Sequence, residues 1–360
     1  MATTQCGVFH ESYRSDMQLR PTTWQRLRVV VVFAFIIILP FVASAQNLRI
    51  ANTVVIAAIG AIGLNILVGY TGQISLGQGA FLAVGAYSTG LLMHYYELPW
   101  PIALVLGALI TAMFGAVFGI PSLRLKGLYL AVATLAAQQI VGWFVRNWDP
   151  IDGTKADGAA RELSMPRALF FGDKLNDSEF AFYVVGMIAL VIVAVVATNL
   201  FRTHIGRAFV AIRDQDIAAE VMGVNVFQYK LVAFATSSFF VGLAGGLTAV
   251  HSTNISFERF TIDVSIEYLA MIIIGGLGSI SGSIYGAAFV KLLPEILRDV
   301  GLWIADQGWL ASGQLDQYLP FAEDAAFGLA IILTLIFEPE GIVKLWSDLK
   351  AYFRLWPFSY

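Results

Sequence analysis

Between residues 52 and 123 the chain carries a single formally charged side chain, Glu97. A water-soluble domain of that length needs a charged outer face, so this segment is built to meet lipid or to be buried on every side. The whole chain agrees: 58% of its 360 residues are hydrophobic and 13% charged, too few charges for an ordinary soluble domain. At about 20 apolar residues per crossing, on the order of ten spans fit. The expected fold class is all-α, a polytopic integral membrane protein of about ten transmembrane helices with broken or re-entrant glycine-rich segments. A net charge of −3 and 26 Phe argue against a disordered chain or a nucleic-acid partner. The lone Cys6 leaves no internal disulfide, and His10, His94, His204 and His251 lack the close spacings of a metal site. No catalytic residue, cofactor or metal is expected in this chain.

A polar leader with Arg14, Arg20, Arg26 and Arg28 precedes an apolar run at 29–45. Its end, Ala43-Ser44-Ala45, imitates a signal-peptidase site, but the leader is long for a signal peptide and a retained anchor is expected. Further apolar runs fall near 50–69, 80–95, 100–120, 128–147, 181–199, 230–250, 264–278, 279–297 and 321–337. Basic residues orient them. With the leader in the cytoplasm, Arg124, Lys126, Arg202, Arg207, Arg213, Lys230, Lys344, Lys350 and Arg354 all fall on that side. The expected organisation is a cytoplasmic leader at 1–28, a transmembrane domain at 29–338 and a cytoplasmic tail at 339–360. Within the domain, 149–180 is an external loop and 202–229 a cytoplasmic coupling loop.

Three segments do not read as lipid-facing helix. The first, Gly69-Tyr70-Thr71-Gly72-Gln73-Ile74-Ser75-Leu76-Gly77-Gln78-Gly79, is uncharged, polar and turn-prone. Non-helical backbone survives at membrane depth only when buried in protein or lining a wet cavity. Two readings stay open: a broken helix beside a solute route, with Gln73, Ser75 and Gln78 offering neutral hydrogen bonds, or a tightly packed helix junction. The second segment, Gly275-Gly276-Leu277-Gly278-Ser279-Ile280-Ser281, echoes the Gly-x-x-Gly-x-Ile-Ser pattern of residues 69–75 and follows a span running the same way. Substrate-route residues are expected at Gly69, Tyr70, Gly72, Gln73, Ser75, Gln78, Gly276, Gly278 and Ser279.

The third segment is the cytoplasmic loop from Phe201 through Gly223. Asp214 can cap the start of a short helix and Gly223 its end, leaving residues 215–222 as two turns, roughly 12 Å. Ile217, Ala218, Val221 and Met222 fall on one face by i, i+4 spacing, while Asp216 and Glu220 lie on another and repel unless a basic group approaches. Acidic residues suit an anionic leaflet poorly, so the helix is expected to dock on protein.

These residues resemble the permease subunits of branched-chain amino acid ABC importers of the LivM type. The resemblance rests on four ordered blocks: Gly63-Leu64-Asn65-Ile66-Leu67-Val68-Gly69-Tyr70-Thr71-Gly72-Gln73-Ile74-Ser75-Leu76-Gly77; Gly206-Arg207-Ala208 followed by Ala211-Ile212-Arg213-Asp214; Gly275-Gly276-Leu277-Gly278-Ser279; and Phe337-Glu338-Pro339-Glu340-Gly341. It implies a multi-pass protein of a bacterial-type inner membrane with both termini cytoplasmic. The implied partners are a homologous second permease subunit, two ATPase subunits that bind the ATP, a periplasmic or surface solute-binding protein, and membrane lipid. It further implies that Gly206, Arg207, Arg213, Asp214, Asp216, Ile217, Ala218, Glu220, Val221, Met222 and Gly223 belong to the element that couples to the ATPases. One departure stands out: Asp149-Pro150-Ile151-Asp152-Gly153-Thr154-Lys155-Ala156-Asp157-Gly158 is more charged than the family's glycine-rich loop. Substrates within such a family extend from branched-chain amino acids to urea, short amides and other small polar or carboxylate solutes.

Two other classes compete. An ion-coupled secondary transporter keeps ionisable groups at membrane depth, for which Glu97, Glu267 and Lys291 are the candidates. A membrane enzyme needs a nucleophile motif, and Ser75 has Gly77 after it but Gln73 before it. The chain has no phosphate loop of its own, so any ATP hydrolysis resides in a partner.

Overall fold

The computed structural model describes residues 38–122, 127–147, 163–164, 169–170, 173–174, 178–252, 254–306, 312–338 and 340–355. The chain divides into two compact units, Met1–Leu48 and Arg49–Tyr360. In the first, Ser44 Oγ accepts from Asn47 N at 3.4 Å, so the residues that imitate a cleavage site cap a helix start. Most of the expected first span, the leader, Arg124, Lys126, and the outer loop's 149–158 stretch lie outside the described residues.

The second unit is helical, as lipid demands of a backbone that must satisfy its own polar groups. Helix α1 (Ala45–Asn65) runs on through a wide π turn (Ile66–Tyr70). Then come α2 (Gln78–Tyr95), α3 (Trp100–Ser122), α4 (Leu128–Asn147) and α5 (Glu179–Arg202). A short pair, α6 (His204–Asp214) and α7 (Asp216–Val221), leads into α8 (Val226–His251). Helices α9 (Ile262–Gly275), α10 (Ile280–Asp306), α11 (Ser312–Phe337) and α12 (Ile342–Leu355) complete the order. Between α4 and α5 lie the two-residue strands β1 (Leu163–Ser164), β2 (Leu169–Phe170) and β3 (Asp173–Lys174). Strand β1 pairs antiparallel with β4 (Asn254–Ile255), and β2 pairs with β3.

Among the described residues five helices are long and apolar enough to cross a membrane: Ala45–Tyr70, Trp100–Ile120, Glu179–Arg202, Val226–His251 and Ile280–Trp303. A sixth crossing results if Phe321–Phe337 and Ile342–Leu349, bent by 49° at Gly341, count as one. The expected spans near 80–95, 128–147 and 264–278 are helical but fall short of that test. Helix α9 has 14 residues, about 21 Å at the usual rise, against a hydrocarbon core of about 30 Å. Helix α2 is largely buried in protein and α4 carries Gln138, Gln139 and Arg146.

The core is a bundle in which α8 packs on α2 and α3, through glycines that bring backbones together. A Cβ on Gly85 would stand 2.5 Å from the Gly242 carbonyl oxygen, and one on Gly245 would stand 2.2 Å from that of Leu82. Ser237 Oγ donates to the Gly63 carbonyl at 2.7 Å and so ties α8 to α1. At the end remote from α6 and α7, Glu179 Oε2 accepts from Asn52 Nδ2 at 2.8 Å and lies 3.0 Å from His251 Nε2, joining the ends of α1, α5 and α8. Helices α1 and α9 run side by side in the same direction, since Gly60 abuts Tyr268 and Gly69 abuts Gly278. The two glycine-rich segments thus follow parallel helices, the direction expected from the order of the apolar runs.

Candidate functional site

Both breaks in helical structure lie at one end of the α1–α9 pair, beside α6. At the first, Gly72 N still reaches Val68 O at 3.2 Å, but Gln73 N turns back to Leu67 O at 3.1 Å. Gly72 has φ +69°, a conformation that favours glycine, and the helix stops there. Residues 73–77 double back into the bundle. Gln78 Nε2 donates to the Gly60 carbonyl at 3.1 Å, ten residues before Tyr70 and therefore about 15 Å along α1. Helix α2 begins inside protein, where its unpaired first-turn amides must find partners. Ser265 Oγ of α9 takes Gly79 N at 2.8 Å and donates to Gln138 Oε1 at 2.8 Å; Thr134 Oγ1 of α4 takes Leu76 N at 2.9 Å.

Gln73, Ser75 and Gln78 are all buried. Gln73 Nε2 donates to Thr71 Oγ1 at 3.1 Å, and Ser75 Oγ accepts from Gly77 N at 3.4 Å. In the single chain these side chains hold the junction together. Tyr70 is half-buried and its ring stacks on Phe201 with centroids 3.4 Å apart and planes at 10°.

The second break is tighter. Gly276 has φ +125° and Gly278 φ +76°, and α10 resumes at Ile280 with Ser279 Oγ accepting from Gly282 N at 3.2 Å as its cap. Asn65 joins this break to the first. Its Oδ1 accepts from Gly278 N at 2.9 Å, and its Nδ2 donates to Ser279 O at 2.9 Å and Ser283 Oγ at 2.7 Å. Contact is so close that a Cβ on Gly69 would lie 2.4 Å from Gly278 N. From the far side, a Cβ on Gly341 would lie 2.5 Å from Gly276 N. Arg213 closes the ring by donating from Nη1 to Gly69 O at 2.5 Å. Residues from all four resemblance blocks, far apart in sequence, meet at this point.

Helix α6 was not expected. It packs Ala208, Phe209 and Ile212 inward, a repeat at helical spacing. Gly206 is buried against the Phe201 backbone, and Arg207 is exposed with Nη1 3.4 Å from Arg202 O. Asp214 is consequently the last residue of α6 and does not cap α7: extended Gln215, φ −162°, occupies that position, and α7 has six helical residues. The expected end does hold. Gly223, φ +87°, donates to Glu220 O at 2.9 Å and Val224 N donates to Ala219 O at 3.0 Å, the paired bonds of a Schellman stop.

Helix α7 presents its apolar face outward: Ile217 is 64% exposed, Val221 82% and Met222 84%. Ala218 and Glu220 are exposed too, whereas Ala219 is buried. Lys230 Nζ lies 3.7 Å from Asp216, supplying the basic neighbour that offsets the Asp216/Glu220 repulsion. Of the membrane-depth ionisable candidates, Glu267 and Lys291 pair with each other at 2.7 Å, and Glu97 is exposed beyond the end of α2.

The described residues form a bundle of helices apolar enough to cross a membrane, with broken segments packed inside it and an exposed amphipathic turn at one end, the build of an integral membrane protein. The chain belongs to the family of branched-chain amino acid transport system permease components, whose model matches residues 47–335. The high-affinity branched-chain amino acid transport system permease protein LivM of Salmonella typhimurium is 32% identical over 344 residues, 90% of this chain and 76% of that one. Its namesake from Escherichia coli is 32% identical over 342 residues, with the same shares. The fructose import permease protein FrcC of Rhizobium meliloti is 27% identical over 286 residues, 76% of this chain and 77% of that one. No solved structure matches.

Proposed function

We propose that the chain forms half of the translocation pathway of an ATP-driven importer for branched-chain or related amino acids. Its partners are a homologous permease subunit, two ATPase subunits that bind ATP, and a solute-binding protein outside the inner membrane. Helices α2, α4 and α9, together with the apolar run at 29–45, then supply the remaining crossings of a bundle of about ten. The coupling loop, both termini and both helix breaks face the cytoplasm, as the basic residues of the loops require. The route passes the breaks at Gly69, Tyr70, Gly72, Gln73, Ser75, Gln78, Gly276, Gly278 and Ser279. Because those polar side chains are occupied within the chain, solute contact there requires the junction to open. A solute such as urea, a short amide or another small polar or carboxylate molecule is the alternative; the likeness to a fructose permease fits a scaffold whose cargo is selected by the binding protein.

The observation that carries this reading is α7: a helix stopped at Gly223 whose Ile217, Val221 and Met222 face outward. An ATPase groove covers such a face. Replacing Ile217 and Val221 with Asp places two charges on that face without disturbing the bundle, and is expected to abolish co-purification of the ATPase subunits. Normal assembly and uptake in the double variant would refute the docking assignment.

A further inference from the structure

Arg213 occupies a position that docking alone does not explain. It is the penultimate residue of α6, three before α7 begins, yet its side chain reaches away from α7 to the helix breaks. In an unbroken α-helix the Gly69 carbonyl would accept from residue 73, but Gln73 N is diverted to Leu67 O. The break therefore leaves Gly69 O to an outside donor, and Arg213 Nη1 supplies a charge-assisted hydrogen bond.

The same side chain touches the rest of the junction. A Cβ on Gly278 would lie 2.8 Å from Arg213 Nη1, and one on Gly72 would lie 3.5 Å from Arg213 Cγ. Gly278 is in turn fixed to α1 by Asn65 Oδ1. The Arg213 side chain thus lies against the first break, with its guanidinium at Gly69 and its Cγ at Gly72, and its guanidinium also lies against the second break at Gly278. The backbone from Arg213 to Asp216 crosses only Asp214 and Gln215.

We propose that Arg213 is the positioning residue that links the docking helix to both helix breaks, so that displacement of α7 by the ATPases moves the two glycine-rich segments together. Resting on the importer reading above, it adds the residue through which motion enters the pathway. A rigid α6–α7 pair that shifts on nucleotide binding pulls on Gly69 O, and the Asn65 clasp carries Gly278 with it. Lysine keeps the charge and one donor toward Gly69 O; glutamine loses the charge; alanine at Gly278 forces a Cβ toward the guanidinium.

The test uses the assembled importer in lipid vesicles, with Cys6 replaced by Ala and Leu277, an exposed residue between Gly276 and Gly278, replaced by Cys. The labelling rate of that cysteine by a water-soluble maleimide is measured without nucleotide and after trapping with ATP and vanadate. In the parent the two rates are expected to differ by about tenfold, in line with ordinary coupling between sites. Arg213→Gln and Gly278→Ala are expected to erase the difference while ATPase subunits still co-purify, and Arg213→Lys to restore most of it. Equal rates in the parent, or a nucleotide-dependent difference that survives Arg213→Gln, would overturn the proposal. Failure of the importer reading looks different: the Ile217/Val221 double Asp variant would then retain its ATPase. A purely structural role for Arg213 would lower stability in Arg213→Gln and leave the nucleotide response in place, which also counts against the link.

Discussion

The α1–α2 junction and helix α7 were both marked out by unusual composition, and they turn out to be opposites. At the junction, polar side chains between apolar helices are turned inward and bonded to the chain itself: Gln73 to Thr71, Gln78 to Gly60 O, Leu76 N to Thr134, Gly79 N to Ser265. In α7, apolar side chains are turned outward, with Val221 and Met222 more than four-fifths exposed. The first region meets its polar needs within the chain; the second leaves its apolar side chains uncovered by the chain. A polar residue at membrane depth is therefore as ready to hold a break together as to hold a solute, because burial without a partner is costly to either. An apolar residue that the chain leaves uncovered beside capped, ordered backbone has no such internal use.

Substitutions sharpen this contrast, beginning with the largest effect on stability. Asn65→Ala removes the acceptor for Gly278 N and the donor to Ser279 O and Ser283 Oγ, and is expected to cost about 3 kcal/mol, read as a lowered melting temperature of the detergent-solubilised protein. Ser265→Ala strands the Gly79 amide at the buried start of α2 and is expected to cost about 2 kcal/mol in the same measurement. Met222→Ser in α7 is expected to change stability by less than about 0.5 kcal/mol, since the side chain has almost nothing to lose within the chain. The order reverses for the affinity of the ATPase subunits, where Met222→Ser weakens binding and Ser265→Ala leaves it alone. Equal stability losses at Ser265 and Met222 would erase the distinction between a self-sufficient region and an unfinished one.

Much of this was legible from residue order. The break after Gly69, the parallel run of the helices before the two glycine-rich segments, the outward apolar face of α7 and its stop at Gly223 follow from helical spacing and from the backbone freedom of glycine at φ +69° and +87°. Other features were not. Asn65 is one polar residue inside an apolar run, and its role depends on Gly278, more than two hundred positions away. The inward turn of residues 73–79 likewise relies on Thr134 of α4, which takes the Leu76 amide, and on Ser265 of α9, which takes the Gly79 amide and bonds Gln138. Helix α6 escaped because charge at His204, Arg207, Arg213 and Asp214 reads as a loop, although Phe209 and Ile212 carry a buried face through it. The apolar runs near 128–147 and 264–278 look like spans in the sequence, but α9 is short and α4 carries Gln138, Gln139 and Arg146, so neither is among the five helices long and apolar enough to cross a membrane.

The Schellman stop at Gly223 has a consequence for how an assembly forms. Six helical residues would not hold their shape alone in water. Here the terminal bonds from Gly223 and Val224, the buried Ala219 and the Asp216–Lys230 pair keep them wound before any partner arrives. Under the docking proposed above, an approaching subunit would meet a surface already in its final form, so recognition would involve no disorder-to-order step and the speed of encounter would be set by diffusion and orientation rather than by waiting for a coil to wind.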